Sequence, residues 1–262
     1  MKSLLKTMIL ACSIALAGCT GTTEKKSANE LAPIPHLEKR GNVTQLIVEG
    51  KPYLALGIEL TNSAASSREY MKPYWPQIKE AGVNTVLAVI PWEMIEPKEG
   101  KFNFKPVDEL IEDARANDLK LALLWFGSWK NGYTSYNPIW VKKDTKRFPL
   151  AYTKDGKQLS ILSTVNQASW EADAKAYAAT MKHIAEVDRE EQTVIMMQIN
   201  NEVGLHGYTR DYNPAAVEAF NSAVPQQLID YLTANKENLL PETRKAWESQ
   251  GCKTSGTWEE VF

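Results

Sequence analysis

Apolar stretches that alternate with amphipathic ones constrain the fold of this chain more than any other feature. Four stretches are apolar almost throughout, as expected for strands buried on both faces: residues 53–60, 84–92, 119–127 and 193–199. Three stretches with helical spacing lie between them: residues 68–81, 107–116 and 168–187. This alternation predicts α/β structure built from parallel βαβ units. Because no Gly-x-Gly-x-x-Gly follows the first strand, it favours a (β/α)8 TIM barrel over a dinucleotide-binding fold.

The length of the chain allows only part of such a barrel. Each βα unit takes about 30 residues, so four more units would need roughly 120 residues after the fourth strand. Beyond Gly204 the pattern predicts helices and no further apolar strand. We therefore expect residues 41–262 to be the N-terminal part of a TIM-barrel catalytic domain, with roughly the first four βα units.

The first residues resemble a targeting segment. Lys2 and Lys6 precede a short apolar run over residues 8–16, and Leu-Ala-Gly-Cys ends at Cys19, as in a bacterial lipobox. We predict a signal peptide over residues 1–18, lipidation of Cys19 and a flexible tether over residues 19–40. The predicted location is the bacterial cell envelope, periplasmic or outer-membrane facing, with the lipid anchor in the membrane. An ordinary cleavage near Gly18 is the alternative.

Charge bears on the expected partners of the chain, and cysteine content bears on its disulfide bonds. The chain has 30 basic and 32 acidic residues, and its basic runs are short, as at Lys25 and Lys26, so nucleic acid is not an expected partner. Of the 3 cysteines, only Cys252 lies outside the predicted signal and lipidation site, which excludes an intramolecular disulfide in the mature chain.

Acidic, amide and aromatic residues follow the predicted strands. The active site of a (β/α) barrel lies at the carboxyl ends of its strands. Those ends carry Glu59, Trp92, Trp125, Trp129, Asn200, Asn201 and Glu202. Aromatic faces and groups that hydrogen-bond hydroxyls suit a sugar, so a carbohydrate substrate is the expected partner. No histidine or cysteine joins them at metal-ligand spacing, and neither a metal nor a cofactor is expected.

Glu202 is the candidate proton donor. Burial against aromatic residues raises the pKa of a carboxyl group, which can then protonate a departing glycosidic oxygen. An asparagine just before it, such as Asn201, can hydrogen-bond the sugar 2-hydroxyl. The alternative is structural: Asn200, Asn201 and Glu202 would end a strand and cap a turn before Gly204.

Several motifs resemble those of β-galactosidases. Gln198-Ile-Asn-Asn-Glu-Val-Gly204 resembles the acid/base motif of glycoside hydrolase family 35, and residues 91–104 are similar to a segment shared by families 35 and 42. Residues 57–63 and 124–132 are similar to a bacterial, often secreted or lipid-anchored branch of family 35. The similarity runs in order from about residue 40 to the last residue.

The resemblance implies a retaining exo-β-galactosidase that removes terminal β-galactosides from oligosaccharides or polysaccharides. Glu202 would be acid and then base, Asn201 and Asn200 would bind the sugar, and three residues would line the pocket: Glu59, Trp92 and Trp129. Glu96 is expected to brace its loop instead, and the alternative for Trp125 is a place in the core. The implied nucleophile follows the seventh strand and is not in this chain. The alternatives are another glycosidase on the same barrel and a carbohydrate-binding or inactive truncated lipoprotein.

Overall fold

A four-stranded parallel sheet forms the centre of the fold. The computed structural model describes residues 31–130, 135–205 and 207–262, and residues 33–262 form one unit. The strands are β1 (His36–Arg40), β2 (Val43–Val48), β3 (Lys51–Pro52), β4 (Gly57–Glu59), β5 (Thr85–Pro91), β6 (Lys120–Lys130), β7 (Leu150–Tyr152), β8 (Gln158–Leu162) and β9 (Val194–Asn201). The predicted signal peptide and Cys19 lie outside the described residues.

Helices connect the strands of this sheet and follow its last strand. They are α1 (Arg68–Met71), α2 (Tyr74–Glu80), α3 (Trp92–Ile95), α4 (Lys105–Ala116), α5 (Ile139–Lys143), α6 (Gln167–Val187), α7 (Pro214–Asn221), α8 (Gln226–Ala234), α9 (Pro241–Ser249) and α10 (Trp258–Val261). Short 3₁₀ turns cover Ala64–Ser66 and Lys236–Asn238. No helix in these described ranges is both long and apolar enough to span a bilayer.

The central sheet has the order β4-β5-β6-β9, with all neighbouring strands parallel. Helices lie between consecutive strands of this sheet, which is the arrangement of successive βα units in a barrel. The predicted fold class, α/β with about four units of a TIM barrel, is thereby confirmed.

The two inner strands are buried on both faces, as their continuous apolar sequences predict. One face packs on the helices through Val86, Ala88 and Ile90 of β5 and through alternate residues of β6. The opposite face carries Val89, Leu124 and Phe126, which form a separate cluster with Leu87 and Tyr136. In a barrel this second face is the one that points to the barrel axis.

The outer strands of the sheet are less buried than predicted. All three residues of β4 are exposed, and Met196 and Ile199 of β9 are 50% and 61% exposed. Within the described residues each of these strands pairs with one neighbour only. Their apolar side chains therefore lie along two open edges of the sheet.

The local sequence explains where most of the helices and strands begin and end. The predicted helix 68–81 is divided into α1 and α2, because Pro73 lacks the N–H that a continuous helix would need. The long helix α6 begins where the Asn166 side chain accepts a hydrogen bond from the backbone N–H of Ser169. The predicted boundary between tether and domain at residue 40 is corrected, since β1 pairs in register with β2 from His36 onward.

Two further groups of elements surround the carboxyl ends of the strands. The segment between β6 and α6 contains α5 and the antiparallel hairpin β7-β8. The helices that follow β9 have a small core of their own, formed by Val224, Ile229, Leu232, Trp247 and Val261. Both groups lie in segments that follow a strand, where barrel proteins place their functional residues.

Candidate active site

The last residues of the parallel strands meet at one edge of the sheet, and a bulge in β6 decides which side chains face each other. Trp125 of β6 pairs with Ile199 of β9, but the next pair is Lys130 with Asn201. Residues 126–129 of β6 thus lie opposite Asn200 alone. They leave the regular ladder, and this shift places Lys130 beside the Asn201-Glu202 pair.

Lys130 forms an ion pair with Glu202 across this edge. The distance between Lys130 Nζ and Glu202 Oε2 is 2.5 Å. The lysine side chain is 4% exposed and its ammonium lies 5.1 Å from the centre of the Phe126 ring, whereas the Glu202 side chain is 51% exposed. Glu202 therefore lies at the end of the face that carries Phe126.

The backbone of the candidate motif is strained. Asn200 and Glu202 have φ angles of 58° and 48°, in the left-handed region that is uncommon for residues other than glycine. Gln198 stabilises the turn by donating from Nε2 to the backbone carbonyl of Asn200 at 3.0 Å and to Asn201 Oδ1 at 2.8 Å. Strain of this kind is concentrated at functional sites, where surrounding contacts hold it in place.

Asp173 of α6 holds the bulge of β6. Its Oδ1 accepts a hydrogen bond from Trp125 Nε1 at 2.6 Å, and its Oδ2 accepts from the backbone N–H and the hydroxyl of Ser128 at 2.7 and 2.5 Å. The carboxylate is buried, and these donors replace the water it loses. Only glycine fits at position 127, because a Cβ there would overlap the Asp173 carboxylate and the Trp125 indole.

The aromatic residues of the second and third strands divide into core and site. Trp92 is fully buried, and its indole N–H donates to Glu96 Oε2 at 2.9 Å. The prediction that Trp92 lines the substrate pocket is corrected: it packs in the core between sheet and helices. Glu96 also accepts from the backbone N–H of Gly100, so it braces its loop as expected. Trp125 is fully buried, so the core alternative is confirmed.

Trp129 and Asn200 lie together on a cavity, but Glu202 does not line it. The cavity has a volume of about 420 Å³ and lies between the β6 bulge, the start of α6 and the segment after β9. Trp129 packs with Ala151 and Ile161 of the hairpin β7-β8. The predicted site residues are thus divided between the Phe126 face and this cavity. Glu59 is exposed at the end of β4. It does not line the cavity, and it takes no part in the Lys130–Glu202 ion pair.

Sequence reasoning missed Lys130, the partner of Glu202. The available signal was a lysine at the end of an apolar run, Leu121 to Trp129, that continues past Gly127. A glycine inside a strand indicates a bulge and could have extended the predicted strand to Lys130. His206, the histidine nearest the predicted rim, lies outside the described residues. Among those described, no three His, Cys, Asp or Glu residues are grouped as a metal site would require.

A parallel sheet flanked by helices, with an Asn-Glu pair at the end of its fourth strand, is an arrangement found in glycoside-hydrolase barrels. The family model described as beta-galactosidase, glycoside hydrolase family 42, matches residues 63–262. The chain belongs to this family. The broader part of the sequence prediction, a β-galactosidase-like glycoside hydrolase, is confirmed by this match.

Individual relatives agree with the family. A beta-galactosidase of Xanthomonas manihotis is 25% identical over 235 residues, which are 84% of this chain and 34% of the relative. A beta-galactosidase of an Arthrobacter species is 27% identical over 132 residues, 49% of this chain and 18% of the relative. The solved beta-galactosidase of the haloarchaeon Halorubrum lacusprofundi has 19% identity and a TM-score of 0.49, covering 79% of this chain and 28% of that one. The chain spans about a third or less of the curated relatives' length.

Proposed function

We propose that this chain is the N-terminal portion of a retaining exo-β-galactosidase in which Glu202 is the acid/base residue. The observation that carries the proposal is the position of Asn201 and Glu202 at the carboxyl end of β9, on the face of the sheet that carries Phe126. This is where a barrel presents its catalytic groups. The likeness of residues 198–204 to the acid/base motif of family 35 supports this proposal.

The two steps of the proposed reaction need Glu202 in two forms. Glycosylation needs a protonated acid next to the leaving oxygen, and deglycosylation needs a carboxylate that accepts a proton from water. In the free protein the Glu202 carboxylate contacts the Lys130 ammonium at 2.5 Å. The proposed reaction therefore requires the half-exposed Glu202 side chain to move from Lys130 to the substrate, where Asn201 hydrogen-bonds the sugar.

The retaining reaction also needs a nucleophilic carboxylate about 5–5.5 Å from the acid/base group. The proposal places this group outside the 262 residues. Glu259 and Glu260 are poor candidates, because they lie in α10 and Glu260 accepts a hydrogen bond from the backbone N–H of Thr257 at 2.7 Å. Its carboxylate is thus occupied in capping a helix.

Chemical rescue of Glu202→Ala tests the acid/base role in the protein that contains this chain. Azide should restore cleavage of an aryl galactoside with a good leaving group and yield β-galactosyl azide, because the galactosyl-enzyme no longer needs a base to activate its attacker. Glu202→Gln should lose most activity on lactose and much less on the activated substrate. Equal losses on both substrates, with no azide product, would refute the proposal. Glu99→Gln, which changes an exposed carboxylate paired with Arg147, is the control.

A carbohydrate-binding protein without turnover is the second candidate. The observation that favours it is again the Lys130–Glu202 pair, since a Glu202 side chain held at Lys130 does not reach a glycosidic oxygen in the cavity beside Trp129. The two candidates differ in one measurement. Release of galactose from lactose by the purified protein, abolished in Glu202→Gln, supports the hydrolase. Lactose binding without release supports the second candidate.

The envelope location is part of the same proposal. Lipidation of Cys19 would tether the enzyme through residues 20–35 to a membrane surface, where it would act on saccharides that reach the cell envelope. Metabolic labelling with radioactive palmitate tests it. The label should enter the natural protein, fail to enter the Cys19→Ser variant, and leave that variant in the soluble fraction. A natural protein that stays unlabelled contradicts the anchor.

A further inference from the structure

The cavity beside Trp129 has the size and the lining of a ligand site. Its volume of about 420 Å³ falls in the range of about 300–1,000 Å³ that is usual for small-molecule sites. None of the lining residues that the structure describes carries a charge, and several carry hydroxyl groups, among them Ser163, Thr164 and Ser169. A neutral, polar ligand fits such a lining better than an ion does.

Two buried polar atoms of the lining are unpaired. Trp129 is 7% exposed, and its indole Nε1 has no hydrogen-bond partner among the described residues. The same is true of Asn200 Oδ1. A buried donor or acceptor without a partner costs free energy, so these atoms favour a ligand that can pair with both. The Trp129 indole N–H needs an acceptor, and Asn200 Oδ1 needs a donor. A hydroxyl group supplies both.

Exposed aromatic rings complete the lining. Trp170, in the first turn of α6, is 53% exposed, and Tyr208 is 44% exposed. Both side chains line the cavity, although a tryptophan is usually mostly buried. A flat aromatic surface beside hydroxyl-binding groups is the combination that holds a sugar ring, because the ring's C–H face is apolar and its edge is polar.

We propose that this cavity binds a neutral saccharide unit, independently of the chemistry at Glu202. Glu202 turns away to Lys130 on the Phe126 face and is absent from the lining, whereas its neighbours Asn200 and Val203 are part of it. The inference goes beyond the proposed hydrolysis, since binding here requires no turnover. It gives the protein a second contact with an oligosaccharide or polysaccharide.

Tryptophan indole resonances test this directly. The chain has 8 tryptophans, and each gives one indole N–H signal in a ¹⁵N-labelled sample, assigned by single Trp→Phe substitutions. The probes are methyl β-D-galactopyranoside and cellobiose. They are added to the Glu202→Gln variant, so that hydrolysis does not change the sugar concentration during the titration. At least one probe should shift the Trp129 signal saturably as its indole N–H gains an acceptor. Trp75 is the matched control, because its indole N–H is also unpaired but it lines a different cavity.

Variants separate this site from the proposed active site. Trp170→Ala should weaken binding about tenfold, or ~1.4 kcal/mol, while Tyr231→Ala, which removes another exposed aromatic side chain, should leave it unchanged. The inference is overturned if saturating sugar leaves the Trp129 signal in place, or shifts Trp75 equally. Failure of azide rescue at Glu202 would refute the proposed hydrolysis only, and a sugar-dependent Trp129 shift would still establish the cavity.

Discussion

Asp173 Oδ2 accepts hydrogen bonds from both the backbone N–H and the hydroxyl of Ser128, and this contact ties α6 to the bulge of β6. The amide of Ser128 is thereby bonded to a side chain instead of to β9. Because the ladder resumes only at Lys130, the position of the Glu202 partner depends on a helix residue 45 positions away from Ser128.

Asp173→Asn should therefore destabilise the protein and disturb the rim. The amide oxygen of asparagine can replace one carboxylate oxygen, but its NH₂ group would face donors. We expect the free energy of unfolding to fall by about 1–3 kcal/mol, measured by chemical denaturation. Asp230→Asn, at an exposed position of α8, is the control and should change it by less than ~0.5 kcal/mol. A neutral result at Asp173 would contradict the role assigned to it.

Gly127→Ala tests the close approach of strand and helix. A methyl group at this position would overlap both the Asp173 carboxylate and the Trp125 indole, so backbone or helix must move. We expect a loss of about 1–3 kcal/mol in the free energy of unfolding. Gly57→Ala is the matched control on β4, where the added carbon meets the end of the Leu87 side chain at 3.1 Å and the Thr85 backbone oxygen at 3.9 Å. Equal losses at both positions would show that Gly127 is not specially constrained.

Lys130→Met tests the ion pair through the rate of the proposed reaction. Methionine keeps an apolar stem in the buried position but removes the ammonium that contacts the Glu202 carboxylate. We expect kcat/KM for a β-galactoside to fall about tenfold, because the carboxylate loses the contact that positions it at the rim. Lys142→Met, which breaks the exposed pair with Glu93, should leave kcat/KM unchanged. An unchanged kcat/KM in Lys130→Met would exclude a positioning role for Lys130.

Glu260 gives a pH dependence of stability at the other end of the chain. The backbone N–H of Thr257 donates to its carboxylate in a capping box and lowers its pKa below the ordinary 4.5. The stabilisation is present above that ordinary value and is lost as the pH falls through the lowered pKa. Glu260→Gln should therefore reduce stability at pH 7, and the difference from the natural protein should shrink in acid. Thermal unfolding of both proteins at pH 7 and in acid measures this difference in stability, with Glu259→Gln as the control.

The alternation of apolar and amphipathic stretches is enough to predict the strands of the central sheet and the helices between them. A strand buried on both faces needs apolar residues throughout, and β5 and β6 have them. The candidate motif at Asn201 and Glu202 was also visible, because it directly follows an apolar run. These features depend on residues that are neighbours in the sequence, so they can be predicted from the sequence alone.

Which side chains meet at the rim was decided by tertiary structure. Trp92 follows a strand just as Trp129 does, yet Trp92 is buried against Glu96 and Trp129 lines a cavity. Lys130 reaches Glu202 only because Asp173 holds a bulge in between. A shift of one residue in a strand exchanges its two faces, and here the shift is fixed by a hydrogen bond from a distant helix. No local pattern in the chain encodes that contact.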